Sequence, residues 1–486
     1  MKLSHIIKDI NVKNVYGTLD IEICDIIYDS RKVVKNSLFV CLVGSDNDGH
    51  DFVQDAINKG AGAVVTQSDV RLAGVTQIQV ENTRSFLSGA SANFFGHPSK
   101  KLKTIALTGT KGKTSTCFMI KSILEAAGYN VGVIGTVGAM YSDKIFPLSN
   151  TTPESYEIHK YLSQMVEAGC SHAVLETSSI GLKTHRVDNI LFDIGVFTNF
   201  SNDHIGGNEH SNMEEYLSCK SLLFQKCKLG LINADDAMAQ NVIAGHTCDV
   251  KTFAVNNKAN FMAENICLEN SKNKFGVKFD VSGDLQAKNL FIPIPGKFNV
   301  YNALAAASVC FTLGVSEQDT IKGLKNVSIK GRLELIETDG DYTLIIDYAH
   351  NAVSMQSVLT TLREYNPKRL IALFGAGGNR PKSRRLEMGK ASGKLADFSI
   401  ITSDNPRFED PLAIIEDIKE GINPTGGKYT VIPDRKEAIA YAINSAQSGD
   451  VILLAGKGHE TYQEIKGVKY PMDERLIIQE ILQARK

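Results

Sequence analysis

Gly109-Thr110-Lys111-Gly112-Lys113-Thr114-Ser115 carries the residue types that hold phosphate. It follows the apolar run Thr104-Ile105-Ala106-Leu107-Thr108 and precedes a stretch from about Lys113 that reads as a helix. Glycines let such a turn aim backbone N–H groups at phosphate oxygens, and the helix N-terminus adds the positive end of its dipole. In that setting Lys113 reaches the terminal phosphates of a nucleotide and the Thr114 hydroxyl ligates Mg²⁺. The general pattern G-x-x-x-x-G-K-[ST] would place its first glycine at Leu107, so the match lies in the G-K-T core. A glycine turn with an exposed lysine is the alternative, and the strand before and helix after favour a nucleotide site. Such a loop needs a carboxylate on a neighbouring strand end. Glu176 closes the apolar run from His172 and would face Mg²⁺ directly or through water. Taken alone, a carboxylate after a strand is more often solvated or a helix cap.

Strand–turn–helix units must position these groups. Short apolar runs alternate with helix-like stretches along most of the chain, which predicts α/β architecture. Three blocks emerge. Residues 1–98 contain a strand at Ser37–Val43, a helix at Phe52–Lys59 and a strand at Ala61–Val65, with a linker at Phe94–Lys100. Residues 99–328 open with a strand at Lys103–Thr108. Residues 329–486 open with Gly331-Arg332 and a strand at Thr343–Ile346. The length of 486 residues agrees with three domains at roughly 150 residues each.

A hydrophobic fraction of 43% supports sizeable cores, and a net charge of -1 argues against binding nucleic acid or a membrane surface through bulk charge. The nine cysteines form no C-x-x-C pair and read as reduced, buried thiols, neither a disulfide framework nor a zinc site. The N-terminus lacks a signal-peptide layout, and no apolar run is long enough to span a membrane. A cytoplasmic, monomeric protein is expected. Gly375-Ala376-Gly377-Gly378 lacks the third-glycine spacing of a dinucleotide fingerprint.

The loop T-G-T-x-G-K-T resembles that of the Mur ligases and the related folylpolyglutamate synthetases. Further motifs follow in the order seen in the tripeptide-synthetase branch of the Mur ligase family. They are Asn150-Thr151-Thr152-Pro153, Glu176-Thr177-Ser178-Ser179, His185-Arg186-Val187, Thr198-Asn199, Asp203-His204 and Lys220. Pro295-Gly296-Lys297-Phe298-Asn299 with Asn302, Gly331-Arg332, Asp347-Tyr348-Ala349-His350, Asp404-Asn405-Pro406-Arg407 and Ala455-Gly456-Lys457-Gly458-His459-Glu460 complete the series. Asp29-Ser30-Arg31 resembles the family's uridine-site motif.

The resemblance implies an N-terminal UDP-binding α/β domain, a central P-loop-like ATPase domain and a C-terminal Rossmann-like domain. It implies that ATP, with Mg²⁺, phosphorylates the D-Glu γ-carboxylate of UDP-MurNAc-L-Ala-D-Glu, and that an amine of a diamino acid attacks the acyl phosphate. Lys113, Glu176, His204, Lys220 and Arg332 match catalytic positions, and Thr114, Glu176, His204 and a carbamylated Lys220 match the metal site. Asn302, Asp347, His350 and Asn351 join Gly109–Ser115 as positions matching contacts to ATP. Ser30, Ser45, Asp46 and Asn47 match the uridine-diphosphate end of the substrate site. Asn150, Thr151, Thr152, Ser178, Thr184 and Arg186 match the muramyl-dipeptide end. Arg385, Asp404, Asn405, Pro406, Arg407, Gly456 and Glu460 match the amino-acid pocket.

The Arg in Asp404-Asn405-Pro406-Arg407 resembles the version that accepts meso-diaminopimelate. A guanidinium pairs with its second carboxylate and would repel the ammonium of lysine. Without the resemblance, Lys220 on an amphipathic helix reads as a solvated charge, and Asn351 and Asp347 read as turn and helix-start residues. The chain departs from the family pattern at Ile180, at Ile205–Glu209, at Ala352-Val353 and at Ala376 and Asn379. L-Lysine or another diamino acid as substrate, and a non-catalytic precursor-binding role, are the competing readings.

Overall fold

The computed structural model describes residues 1–44, 47–67, 71–201, 205–206, 209–271 and 274–485. The chain divides into two compact units. One comprises Met1–Ala263, Val281–Gln286 and Tyr301–Gly323, and the other Glu264–Asp280, Ala287–Val300 and Leu324–Lys486.

The first unit begins with a five-stranded sheet in the order Asn14–Tyr16, Thr76–Gln79, Ala63–Thr66, Leu38–Val40, Ile26–Ile27. Its pairings are parallel except for the first. Side chains alternate across a strand, and these strands bury both faces. Leu38, Val40, Ala63 and Val65 pack with Phe86, Leu87 and Ala90 of the helix Thr83–Phe94. Phe39, Cys41 and Val64 pack on the other side with Val53 and Ala56. The paired part of the expected strand Ser37–Val43 is Leu38–Val40, because the chain then turns, with Gly49 N–H donating to Leu42 O.

The second sheet carries the phosphate loop. Asp249–Ala254, Cys227–Asn233, Phe192–Phe197, Lys103–Thr108, His172–Glu176 and Val131–Gly135 lie side by side, all parallel. Gly138–Tyr141 and Lys144–Phe146 continue the Val131 edge as antiparallel strands. Near-continuous burial of the central strands fits a parallel sheet covered on both faces. Lys103–Thr108 lies between strands that come later in sequence on both sides, so the connections diverge at its C-terminal end. Parallel α/β sheets open a crevice at such a switch point.

The other unit holds a six-stranded sheet in the order Glu334–Ile336, Thr343–Asp347, Asp450–Ala455, Arg369–Phe374, Phe398–Ile401, Tyr429–Val431. Only the first pairing is antiparallel. Leu344, Ile346, Ile371, Leu373, Ile452 and Leu454 meet Ala438, Ile439 and Ile443 of the helix Arg435–Asn444 in its core.

All nine cysteines are free, but Cys24 and Cys267 are exposed, which corrects the expectation of uniformly buried thiols. Among the described residues no helix is long and apolar enough to cross a membrane.

Candidate active site

The loop after Lys103–Thr108 is shaped by glycine geometry and by its neighbour strand. Gly109 has φ +147°, and a Cβ there would lie 2.0 Å from Thr198 Oγ1. Gly112 has φ +86°, and a Cβ there would lie 2.3 Å from Asn302 Oδ1. Only glycine fits both demands. Thr198 and Asn199 clamp the turn. Thr198 Oγ1 and Asn199 Nδ2 donate to Lys111 O at 2.7 and 2.9 Å, and Asn199 Oδ1 accepts from Lys111 N at 2.9 Å. Thr110 N donates to Asn199 O at 2.8 Å. Lys113 begins the helix Lys113–Ala126, and its Nζ donates to Gly109 O and Thr110 O at 2.8 and 3.2 Å. The ammonium is thus held over the turn, with Ser115 half-buried in the helix's first turn.

Glu176 sits where the parallel register puts it, opposite Leu107. It is 1% exposed, which removes the solvated-carboxylate reading. Its Oε2 accepts from Thr114 Oγ1 at 2.9 Å and from Thr136 Oγ1 at 3.2 Å, and its Oε1 accepts from Thr136 N at 3.0 Å. Thr114 and Glu176 offer hard oxygen donors, the kind a Mg²⁺ ion prefers.

The muramyl-dipeptide candidates continue from this carboxylate. Thr136 Oγ1 is 3.1 Å from Thr151 Oγ1. Thr152 Oγ1 donates to Glu176 O at 2.8 Å and accepts from Ser178 N at 2.9 Å. Ser178 caps the helix Ser179–Lys183, accepting from Gly181 N at 3.0 Å, and Thr184 Oγ1 donates to Ile180 O at 2.7 Å. Arg186 donates to Thr152 O at 2.7 Å and pairs with Glu154 at 2.9 Å. Glu154 also binds Arg84 at 2.8 Å, and Arg84 reaches Val43 O at 3.2 Å. Arg84 therefore ties the 150s loop to Val43, and Asn47 O accepts from Gly44 N at 2.9 Å. Ser30 is buried and accepts at its backbone O from Lys59 Nζ at 3.0 Å. Asn150 is exposed. Ser45, Asp46, Asp203 and His204 lie outside the described residues.

Lys220 overturns its solvated-charge reading. It lies on the helix Met213–Ser221, is 1% exposed, and its Nζ sits 4.3 Å from the centre of the Tyr216 ring.

In the other unit, Asp347 is buried at a strand end and accepts from Leu333 N and Ala349 N, both at 2.8 Å. Burial raises its carboxyl to about 6, against the pull of those N–H groups and of Arg332. Arg332 stacks 5.5 Å over Tyr348. His350 donates from Nδ1 to Tyr348 O at 2.8 Å, and burial lowers its imidazole below the ordinary range. Asn351 caps the helix Ala352–Arg363 in a reciprocal box with Ser354, so its helix-start reading describes its geometry.

The Asp404–Arg407 turn is a charge network. Asn405 Nδ2 donates to Glu460 at 2.9 Å, and Lys457 Nζ, fully buried, donates to Asn405 Oδ1 and Glu460 Oε2, both at 2.8 Å. Burial opposes ionisation of Glu460, but Lys457 and Asn405 hold its carboxyl below the usual range. Gly456, at φ +114°, leaves room for the Asp404 carboxylate, which a Cβ would meet at 2.5 Å. Pro406 is buried and its O approaches Gly378. Arg407 adopts φ +53°, donates to Gly378 O at 2.8 Å and pairs with Glu464 at 3.2 Å. Arg385 is 4% exposed, with its guanidinium engaged by Glu409 at 2.7 Å and Asp417 at 2.9 Å. That pairing makes it a brace under the turn from Gly378 to Arg380.

Sequence reasoning passed over Thr136, Arg84 and Arg435, and gave Lys457 no role within the motif Ala455–Glu460. Arg435 and Glu474 form a pair, each 1% exposed, and Arg435 also donates to Ala455 O at 2.9 Å and Ser403 O at 3.3 Å. It fixes the residues just before Asp404 and Gly456. No local motif announces such partners, since they lie 20–39 positions away.

Comparisons with known proteins agree with this layout. Residues 22–95 match the Mur ligase family, catalytic domain, residues 107–310 the Mur ligase middle domain, and residues 331–458 the Mur ligase, glutamate ligase domain. The chain is 44% identical over 484 residues to the UDP-N-acetylmuramoyl-L-alanyl-D-glutamate–2,6-diaminopimelate ligase of Caldanaerobacter subterraneus subsp. tengcongensis, covering 99% of each. It is 39% identical over 487 residues to the protein of the same name in Clostridioides difficile, again covering 99% of each. A solved structure bearing that name aligns with a TM-score of 0.75 at 29% identity, over 100% of this chain and 99% of the other. The MurF ligase of Thermotoga maritima in complex with ADP shares the fold, with a TM-score of 0.59 at 17% identity over 95% of this chain and 98% of that one.

Proposed function

Since the chain belongs to the Mur ligase family, we propose that it is the ATP-dependent ligase joining meso-diaminopimelate to the D-Glu γ-carboxylate of UDP-MurNAc-L-Ala-D-Glu. A carboxylate is a poor electrophile until its oxygen becomes a leaving group. Transfer of the ATP γ-phosphoryl group to it yields ADP and an acyl phosphate. The amine of the amino acid attacks that carbonyl, and the tetrahedral intermediate collapses to the amide with loss of phosphate.

Phosphoryl transfer asks a protein for positioning and charge neutralisation. The N–H groups of Gly109–Ser115 cradle the phosphates, and Lys113 exchanges its loop carbonyls for phosphate oxygens. Thr114, Glu176, His204 and a carbamylated Lys220 would hold Mg²⁺, which when bound supplies further neutralisation of the phosphates. Carbamylation would add CO₂ to the neutral Lys220 amine with loss of a proton, giving an anionic oxygen ligand for the ion. Arg186, with Thr151, Thr152 and Ser178, orients the dipeptide, and Ser30 and Asn47 meet the uridine end. Asn302, Asp347, His350 and Asn351 bind the nucleotide, and Arg332 neutralises the phosphoryl group. Arg407 offers a planar fork to the second carboxylate of meso-diaminopimelate, with Glu460 for its distal ammonium. The supply of ATP and of the nucleotide precursor puts the reaction in the cytoplasm.

The observation that carries the reading is the Thr114–Glu176 contact beside a glycine-shaped turn holding Lys113. The test is phosphate release from ATP with Mg²⁺ and UDP-MurNAc-L-Ala-D-Glu across meso-diaminopimelate, L-lysine and L-ornithine, with products identified by mass. Release with meso-diaminopimelate alone is the expected result. Release with L-lysine alone would sink the role given to Arg407, and no release with any amine would sink the ligase reading.

A further inference from the structure

The helix Met213–Ser221 presents Glu215 and Cys219 one turn apart on the same face, and His210 lies just before the helix. One ligand atom from each of the three lies within 4.8 Å of the others. His210 is 2% exposed and Cys219 is 6% exposed. The Nε2 atom of His210 lies 2.8 Å from Ser179 Oγ, while its Nδ1 is buried with no hydrogen-bond partner. Leaving such an atom unsatisfied is costly. A histidine with one ring nitrogen anchored by a neighbour and the other open is arranged as metal-ligating histidines are.

We propose that His210, Glu215 and Cys219 bind a thiophilic divalent cation of the zinc class, at a site separate from the oxygen donors Thr114 and Glu176. Imidazole, thiolate and carboxylate form a donor set suited to Zn²⁺, with water as a fourth ligand, and poorly suited to Mg²⁺. The Cys219 proton leaves to solvent as the sulfur–metal bond forms. Glu215 now pairs with Lys183 at 2.5 Å, and its other oxygen accepts from Ser211 N and Oγ at 2.7 and 2.6 Å. The Lys183 side chain is 42% exposed, so releasing it to water costs little. Tyr216 lies between this cluster and the phosphate loop. Its ring is 4.9 Å from that of His210, and its hydroxyl is 3.2 Å from Thr110 Oγ1.

The test is titration of the full-length protein with Co²⁺ in excess Mg²⁺ and a thiol-free reductant, followed by displacement with Zn²⁺. One Co²⁺ per chain is expected, with a thiolate-to-cobalt band in the near ultraviolet that Zn²⁺ abolishes. Cys219→Ser and Cys219→Ala remove the band while circular dichroism stays unchanged, and His210→Gln weakens binding by at least about tenfold. Zn²⁺ raises the Tm of the wild type and leaves that of both Cys219 variants in place. A wild type without the band, or a band that persists in either Cys219 variant, overturns the proposal.

Discussion

The phosphate loop and the Asp404–Arg407 turn both lie at the ends of parallel strands, yet different forces shape them. Around the loop the restraints are mostly uncharged: positive-φ glycines, a threonine and asparagine clamp, and hydroxyls on one buried carboxylate, with the Lys113 ammonium on loop carbonyls. Around the turn the restraints are charged: Lys457 with Glu460, Arg407 with Glu464, and Arg385 with Glu409 and Asp417. A rigid cradle suits a ligand whose phosphates never change. A turn built from charges can discriminate a substrate by its own charge pattern.

The comparison is tested most severely at Lys113. Lys113→Ala should lower kcat by about 10³-fold with no change in Tm, because its contribution lies in phosphoryl transfer. On the other side, Glu474→Ala should destabilise the unit carrying the turn by about 3–5 kcal/mol, since it strands the buried Arg435 guanidinium. Denaturation followed by hydrogen exchange in peptides from each unit would locate the loss.

One buried group in each unit should respond oppositely to acid. His159 in the first unit is fully buried, neither ring nitrogen has a partner, and burial lowers it to about 3. Its folded value lies below the unfolded one, so its contribution is present above about 6.5 and lost as pH falls. Asp347 has its folded value raised from 3.8 to about 6, so its contribution is full below 3.8 and lost as pH rises through about 6. That gap corresponds to about 3 kcal/mol. His159→Leu should remove that residue's share of the first unit's acid sensitivity, and Asp347→Asn should remove the opposing contribution of Asp347 in the other. Exchange at pH 7, 5 and 4 is the measurement.

Smaller effects sharpen the contrast. Gly109→Ala should lower kcat/KM by about 10²-fold, because a shift of about 1 Å in the cradle misplaces the phosphates. Arg407→Lys should raise KM for the amino acid by about tenfold while KM for ATP stays constant, as a point charge replaces a two-pronged partner. Steady-state kinetics with each substrate varied separately will distinguish the two.

What the sequence disclosed divides by range along the chain. The strand Lys103–Thr108 and the helix from Lys113 were legible because glycine, lysine and apolar periodicity act over a few residues. The buried state of Lys220 was not, since an isolated lysine on a helix carries no sign of what packs over it. Arg385 was expected at the amino acid, and its braces Glu409 and Asp417 come from 24 and 32 residues away. Distant partners are chosen by tertiary packing, which no local pattern encodes.

Glu154 sits between two guanidiniums, those of Arg84 and Arg186. These three side chains carry one net positive charge among them, near residues matched to an anionic ligand, with the Glu157 carboxyl within electrostatic reach of Glu154. Mobile ions shorten the reach of such a charge to about 10 Å at 0.1 M ionic strength. Within the cluster the charges are closer than that and largely shielded from solvent. Salt will therefore slow the arrival of an anionic precursor far more than it loosens the residues that receive it.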